Sequence, residues 1–153
     1  MKSIYFYETE IGKISILENG RSIIGLYFAS GIIPNSAKVV ETELIREAKK
    51  QLDEYFAGKR EDFHIALEPN GTEFQQKVWK ALENIPYGET CSYAEVAKNI
   101  GNPKAYRAVG MANNKNPIPI FIPCHRVIGK NGKLVGYGGG LDIKKYLLDI
   151  ESR

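Results

Sequence analysis

Residues 92–113 read Ser92-Tyr93-Ala94-Glu95-Val96-Ala97-Lys98-Asn99-Ile100-Gly101-Asn102-Pro103-Lys104-Ala105-Tyr106-Arg107-Ala108-Val109-Gly110-Met111-Ala112-Asn113. Ser92 is a good helix cap, and Ala94, Val96 and Ala97 make a short helix behind it. Gly101-Asn102-Pro103 is a turn, and another helix is expected from about Lys104 to Asn113. Two short helices about a glycine-containing turn suggest a helix-turn-helix, whose second helix enters DNA. Upstream, Thr72 caps a helix with Phe74, Val78, Trp79 and Leu82 on its apolar side, ended by Pro86-Tyr87-Gly88.

Before Pro69-Asn70-Gly71 the pattern changes. Ile4–Tyr7, Lys13–Leu17 and Ser22–Phe28 are β-branched or aromatic runs separated by Gly12 and by Asn19-Gly20, a hairpin signal. A helical pattern follows from about Val39 to Phe56, with Leu44, Ala48, Leu52, Tyr55 and Phe56 at helical spacing and Gly58 as a stop. Phe63–Leu67 reads as one more short strand. The expected organisation is a scaffold domain over 1–68, a small antiparallel sheet with a helix, and a C-terminal helical domain over 69–153. Nothing in the first half carries chemistry.

Beyond the helix-turn-helix comes Asn116-Pro117-Ile118-Pro119-Ile120-Phe121-Ile122-Pro123. Its prolines forbid a helix and predict a stiff, extended arm that holds the next residue in place. Val127-Ile128 and Leu134-Val135 flank Gly129-Lys130-Asn131-Gly132-Lys133, which reads as an Asn-Gly hairpin. A glycine loop, Gly136-Tyr137-Gly138-Gly139-Gly140, leads into a last helix from Leu141 to about Glu151.

The 153 residues, 43% of them hydrophobic, can bury a real core. No apolar run approaches the roughly 20 residues of a membrane helix, and the start carries no signal-peptide pattern, so a soluble cytoplasmic protein is expected. The formal charge of +3 is unevenly placed. Residues 1–70 carry 9 Lys and Arg against 11 Asp and Glu; residues 71–153 carry 12 against 7. The second half could therefore meet phosphates. Two cysteines, Cys91 and Cys124, and two histidines, His64 and His125, offer neither a disulfide framework nor a metal site of plausible spacing. Cys91 reads as packing.

Cys124 is followed by His125 and Arg126, neighbours that favour a thiolate, the reactive form. In an extended chain adjacent residues point to opposite faces, so His125 cannot simply lie against the sulfur. Either a water-bridged relay or a sharp local turn is needed.

These residues carry a resemblance. Asn116-Pro117 through Pro123-Cys124-His125-Arg126-Val127, followed by Gly136-Tyr137-x-Gly139-Gly140-Leu141, resembles the O6-alkylguanine-DNA alkyltransferases, at consistent spacing from Thr72 to Glu151. The resemblance implies a ribonuclease-H-like N-terminal domain and a winged-helix-like C-terminal one, α+β overall. It implies that Cys124 takes the alkyl group from guanine O6 in double-stranded DNA, or from O4-alkylthymine, once per protein and without a cofactor. His125 would accept the thiol proton through water, and Glu151 would orient the imidazole. Tyr93 matches the tyrosine that gives guanine a proton, and Asn116 the asparagine that braces the active-site segment. Arg107 matches the arginine that fills the space left by an extruded nucleotide. The pocket would include Tyr137, Val135, Gly136, Gly138 and Gly139, with Ser92 near the DNA and binding through phosphates and the minor groove. A monomer with no membrane association is expected.

Two positions depart from the family pattern. Tyr106 stands where a small residue usually precedes the arginine, and Gly138 where serine or alanine often follows the tyrosine. Three other classes stand as alternatives. A binding-only relative would lack the cysteine, a helix-turn-helix regulator would leave the Pro-Cys-His-Arg run unexplained, and a cysteine hydrolase would turn over an ester.

Overall fold

In the computed structural model, residues 1–29, 34 and 36–153 are described. The chain divides into two compact units, Met1–Pro69 and Asn70–Arg153. Among the described residues, no helix is long and apolar enough to cross a membrane.

The first unit is a sheet with one helix. β1 (Ser3–Thr9), β2 (Gly12–Glu18) and β3 (Ile23–Phe28) form the expected antiparallel meander, in register Tyr5 opposite Ile16 and Ile16 opposite Leu26. Gly12 and Gly20 take φ 94° and 99° at its two turns, a region that glycine enters freely. A fourth strand, β4 (Lys38–Val39), adds to the free edge of β1 in parallel. The helix expected from Val39 therefore begins later. α1 runs over Glu43–Phe56, where the Thr42 side chain accepts a hydrogen bond from the Ile45 amide.

α1 buries Ile45, Ala48, Leu52, Tyr55 and Phe56 on one face and packs on β2 and β3. Gln51 on the same face bonds the His64 amide at 2.9 Å and the His64 carbonyl at 3.0 Å, tying the following segment to the helix. The strand expected over Phe63–Leu67 is only a single parallel bridge of Leu67 to Ile23.

The second unit starts with α2 (Glu73–Glu83), held by a reciprocal capping box between Thr72 and Gln75. Trp79, 2% exposed, donates its indole N–H to the Ala112 carbonyl at 2.8 Å. A side chain at Gly71 would collide with that indole ring. α3 (Tyr93–Asn99) has a second capping box, between Ser92 and Glu95, and packs on α4 (Tyr106–Asn114) as the two arms of the helix-turn-helix. α4 begins two residues later than expected. Its first N–H groups have no side-chain cap, because Ala105 occupies that position.

The expected hairpin across 127–135 does not form. β6 (Val127–Ile128) pairs instead in parallel with β5 (Cys91–Ser92), and Lys130–Gly132 make a tight turn closed by the Gly129 amide on the Lys133 carbonyl at 2.8 Å. Leu134 and Val135 belong to no strand. α5 spans Leu141–Glu151.

Candidate active site

Cys124 lies between two backbone turns. The Asn116–Pro123 segment is not the extended arm expected from its prolines. The Ile122 amide bonds the Ile118 carbonyl at 3.0 Å and Pro119 bridges to Ile122, so the chain reverses about Ile120. Proline excludes helix, but it does not exclude such a reversal. Ile120 adopts φ 75° with its side chain 1% exposed, a conformation a β-branched residue takes only when its surroundings enforce it. Asn116 spans the reversal. Its amide donates to the Ile122 carbonyl at 2.8 Å, and its carbonyl accepts from the Ile118 amide at 3.0 Å.

Cys124–Arg126 then form one turn of 3-10 helix, which is the sharp local turn rather than an extended alternation. Three residues per turn spread the side chains of Cys124, His125 and Arg126 about 120° apart, and all three are buried. Asn113 of α4 reaches the Cys124 carbonyl at 3.4 Å.

Glu151, the last residue of α5, is the hub of the buried charges. Its Oε2 lies 2.6 Å from His125 Nε2. Arg126 donates from Nε to Oε1 at 2.8 Å and from Nη2 to Oε2 at 3.1 Å, and the Gly88 amide donates to Oε1 at 3.2 Å. Gly88 takes φ 81°, and a Cβ there would sit 3.3 Å from the Glu151 carbonyl, so glycine suits this close approach. Arg126 also donates from Nη1 to the Ile85 carbonyl at 2.7 Å and lies 5.7 Å over the Tyr87 ring.

These surroundings set the protonation states. Burial holds His125 below the ordinary imidazole range, with Glu151 pulling the other way. The neutral ring then donates its Nε2 proton to Glu151, which makes Nδ1 its basic nitrogen. Burial pushes the Cys124 thiol up to about 11, opposed by the Asn116 side chain and the Lys144 charge. The thiol is therefore mostly protonated at neutral pH, so the sulfur needs a base to react. The sequence suggested Arg126 as the cation beside the sulfur. In the structure its guanidinium is turned to Glu151 and Ile85, and the charge bearing on the sulfur comes from α5.

The loop side is built on one carbonyl. Tyr93, at the start of α3, donates its hydroxyl to the Val135 carbonyl at 3.0 Å, and Lys144 donates to the same oxygen at 2.8 Å. Burial, then the Cys124 sulfur, hold the Tyr93 hydroxyl above its ordinary range. Gly136 takes φ 55°, and a Cβ there would lie 3.0 Å from Asn114 Oδ1. Tyr137 and Gly139 are half-buried, and a Cβ at Gly138 would meet nothing within 4 Å. Ser92 has its hydroxyl engaged in the α3 cap. Arg107 is exposed on α4, its guanidinium 5.8 Å from the ring of Tyr106, itself 47% exposed; Met111, one turn on, is 68% exposed.

The structure thus gathers buried Cys124, His125 and Glu151 with half-buried Asn116 and joins Tyr93 to Val135. Arg126, Lys144, Gly88 and Asn113 were missed as parts of it. For Lys144 and Glu151 a signal existed, since both fall with Leu147 on the buried face of α5.

Comparison with known proteins follows the same division. Residues 4–69 match the ribonuclease-like domain, and residues 73–153 the DNA-binding domain, of 6-O-methylguanine DNA methyltransferase. The chain is 54% identical over 149 residues to a methylated-DNA–protein-cysteine methyltransferase of Methanosarcina acetivorans, covering 95% of each chain. It is 50% identical over 151 residues to a constitutive protein of that name from Bacillus subtilis, covering 94% of this chain and 92% of the relative. The crystal structure of Mycobacterium tuberculosis OGT in complex with DNA superposes with a TM-score of 0.93 at 44% identity, covering 98% of this chain and 92% of that one.

Proposed function

The chain belongs to the 6-O-methylguanine DNA methyltransferase family, and from that premise we propose how its residues divide the work of alkyl transfer. The protein repairs DNA by moving an alkyl group directly from DNA to a cysteine of its own. In this reading the acceptor is Cys124, the lesion is O6-alkylguanine in duplex DNA, and the protein acts as a cytoplasmic monomer.

His125 takes the thiol proton through a bridging water. Glu151, pinned by Arg126 and Gly88, fixes the ring and balances the charge it gains. The sulfur bonds to the alkyl carbon as the carbon–O6 bond breaks, and the electron pair leaves with guanine. Tyr93, whose hydroxyl is held protonated, gives the departing base its proton. Imidazolium and tyrosinate then recover by exchange with solvent. The thioether is stable, so each molecule acts once, and no step calls for a cofactor.

Delivery falls to α4. Arg107 and Tyr106 are exposed on it, and the reading places this helix in the minor groove, with Arg107 filling the space of the extruded nucleotide. Val135, Gly136, Tyr137, Gly138 and Gly139 wall the base pocket, and Ser92 lies at the phosphate side. Asn116 keeps the nucleophile turn in shape.

The observation that carries the reading is a buried cysteine on a tight 3-10 turn, next in the chain to a buried histidine that Glu151 holds at 2.6 Å. Incubation with duplex DNA labelled in the methyl group of O6-methylguanine tests it. One label per protein is expected, stable to denaturation and absent in Cys124→Ala; multiple turnover would contradict it.

A further inference from the structure

Tyr106 is the first residue of α4 and stands 47% exposed beside the exposed Arg107. The Arg107 guanidinium lies over its ring, 5.8 Å from the centroid. Among the described residues the Tyr106 hydroxyl has no hydrogen-bond partner. Tyr93, by contrast, is committed to the Val135 carbonyl. Tyr106 is also one of the two departures from the family pattern, a large ring where a small residue usually precedes the arginine.

The fold does not call for that ring. α4 is held from its other side, by buried Val109, Ala112 and Asn113 and by the Trp79 indole on the Ala112 carbonyl. What the ring offers is a flat apolar face with only two torsions to fix. Extruding a nucleotide bares the faces of the bases beside the gap, which lose their stacking. A guanidinium can occupy the gap, but a free arginine side chain has many rotamers to give up first. An aromatic face attracts a guanidinium and keeps it near one place. Aromatic and apolar side chains are also the ones that wedge between base steps from the minor groove.

We propose that Tyr106 is a positioning residue of nucleotide extrusion: its ring and the Arg107 guanidinium form one two-part wedge, the guanidinium filling the gap and the ring stacking on a base bared beside it. This rests on the reading above, in which α4 lies in the minor groove with Arg107 in the vacated space. Every base has a flat face, so stacking tolerates any neighbour and the wedge adds hold without sequence preference. Tyr106 moves no proton and forms no bond. It lowers the cost of keeping the nucleotide out of the duplex while Cys124 reacts.

The test compares wild type with Tyr106→Phe, which keeps the ring, Tyr106→Leu, which keeps apolar bulk without a flat face, and Tyr106→Ala, which keeps neither. Arg107→Ala and a variant carrying both Tyr106→Ala and Arg107→Ala complete the set. Single-turnover transfer is measured from O6-methylguanine in duplex DNA and from O6-benzylguanine as the free base, which needs no extrusion. Tyr106→Ala and Tyr106→Leu should slow duplex transfer roughly 10-fold, with free-base transfer and melting temperature unchanged. Tyr106→Phe should stay close to the wild-type rate. Because the pair acts as one wedge, the combined variant should lose less than the product of the two single losses. A merely structural ring would lower the melting temperature and slow both substrates alike. The proposal is overturned by Tyr106→Leu transferring from duplex at the wild-type rate, by equal losses on duplex and free base, or by losses that multiply in the combined variant. Arg107→Ala transferring from duplex at the wild-type rate would instead sink the extrusion reading beneath it.

Discussion

The two halves of this molecule bury different things. Among the described residues, the unit Met1–Pro69 buries one charged side chain, Glu18, which accepts from the Gly20 amide in the turn between β2 and β3. The unit Asn70–Arg153 buries Arg126, Lys144 and Glu151 together with His125 and the Cys124 thiol. Its backbone differs too, with a left-handed Ile120 and a pair of two-residue strands where the first unit has a meander of six- and seven-residue strands. The difference shows what reactivity demands. A scaffold is stable when its polar groups stay wet or paired in regular ladders, whereas a nucleophile needs its base and counter-charges in a dry site where each acts strongly.

Removing the hub of that network should have the largest effect. Glu151→Gln leaves Arg126 buried without its anion and should cost about 3–5 kcal/mol of stability, with transfer slowed in whatever remains folded. Thr42→Ala, the matching loss of one polar contact in the first unit, should cost about 1 kcal/mol and leave the transfer rate unchanged. Urea denaturation and single-turnover kinetics on both variants measure the contrast. Equal costs would erase the distinction between the units.

Acid should act next, and through the second unit. The folded state holds His125 below its ordinary pKa because it is buried, so the unfolded chain binds that proton first. Stability is therefore present above about pH 6.5 and falls as pH drops below it, by at most about 1.4 kcal/mol per pH unit from this one group. His125→Asn should flatten that limb. An unchanged slope in the variant would show that His125 is not buried in its neutral form.

Gly138→Ser should have the smallest effect on the fold, since a Cβ there meets open space. If the bare glycine admits bulky adducts, the variant should react more slowly with O6-benzylguanine DNA at unchanged melting temperature. Benzyl transfer at the same rate would show that the loop does not set adduct size.

Much of this contrast was legible in the sequence, and the unread parts share a cause. The meander announced itself through Asn19-Gly20 and its flanking runs, and α1 through the helical spacing of Leu44, Ala48, Leu52, Tyr55 and Phe56, because local patterns specify both. β4 could not be seen: Lys38–Val39 is an exposed dipeptide whose only reason to be a strand is the free edge of β1. The β5–β6 pair is equally short and parallel, and so it too depends on tertiary contact. The reversal at Ile120 was misread because a β-branched residue does not signal a positive φ. In the site, Cys124 and His125 stood out as a motif. Arg126 was read as the cation beside the sulfur, and only the carboxylate and the carbonyl folded around it show where its charge goes; Lys144 stood on a buried helix face without its carbonyl partners being visible.

This network selects one sulfur. Cys91, also in the second unit, is half-buried on β5, its thiol pushed up by burial and by Glu95. Peptide mass mapping after reaction with O6-methylguanine duplex DNA tests the selection most directly. A single added methyl is expected, on the peptide carrying Cys124, with Cys91 unmodified. A methyl on Cys91, or none on Cys124 after the DNA has been repaired, would contradict it.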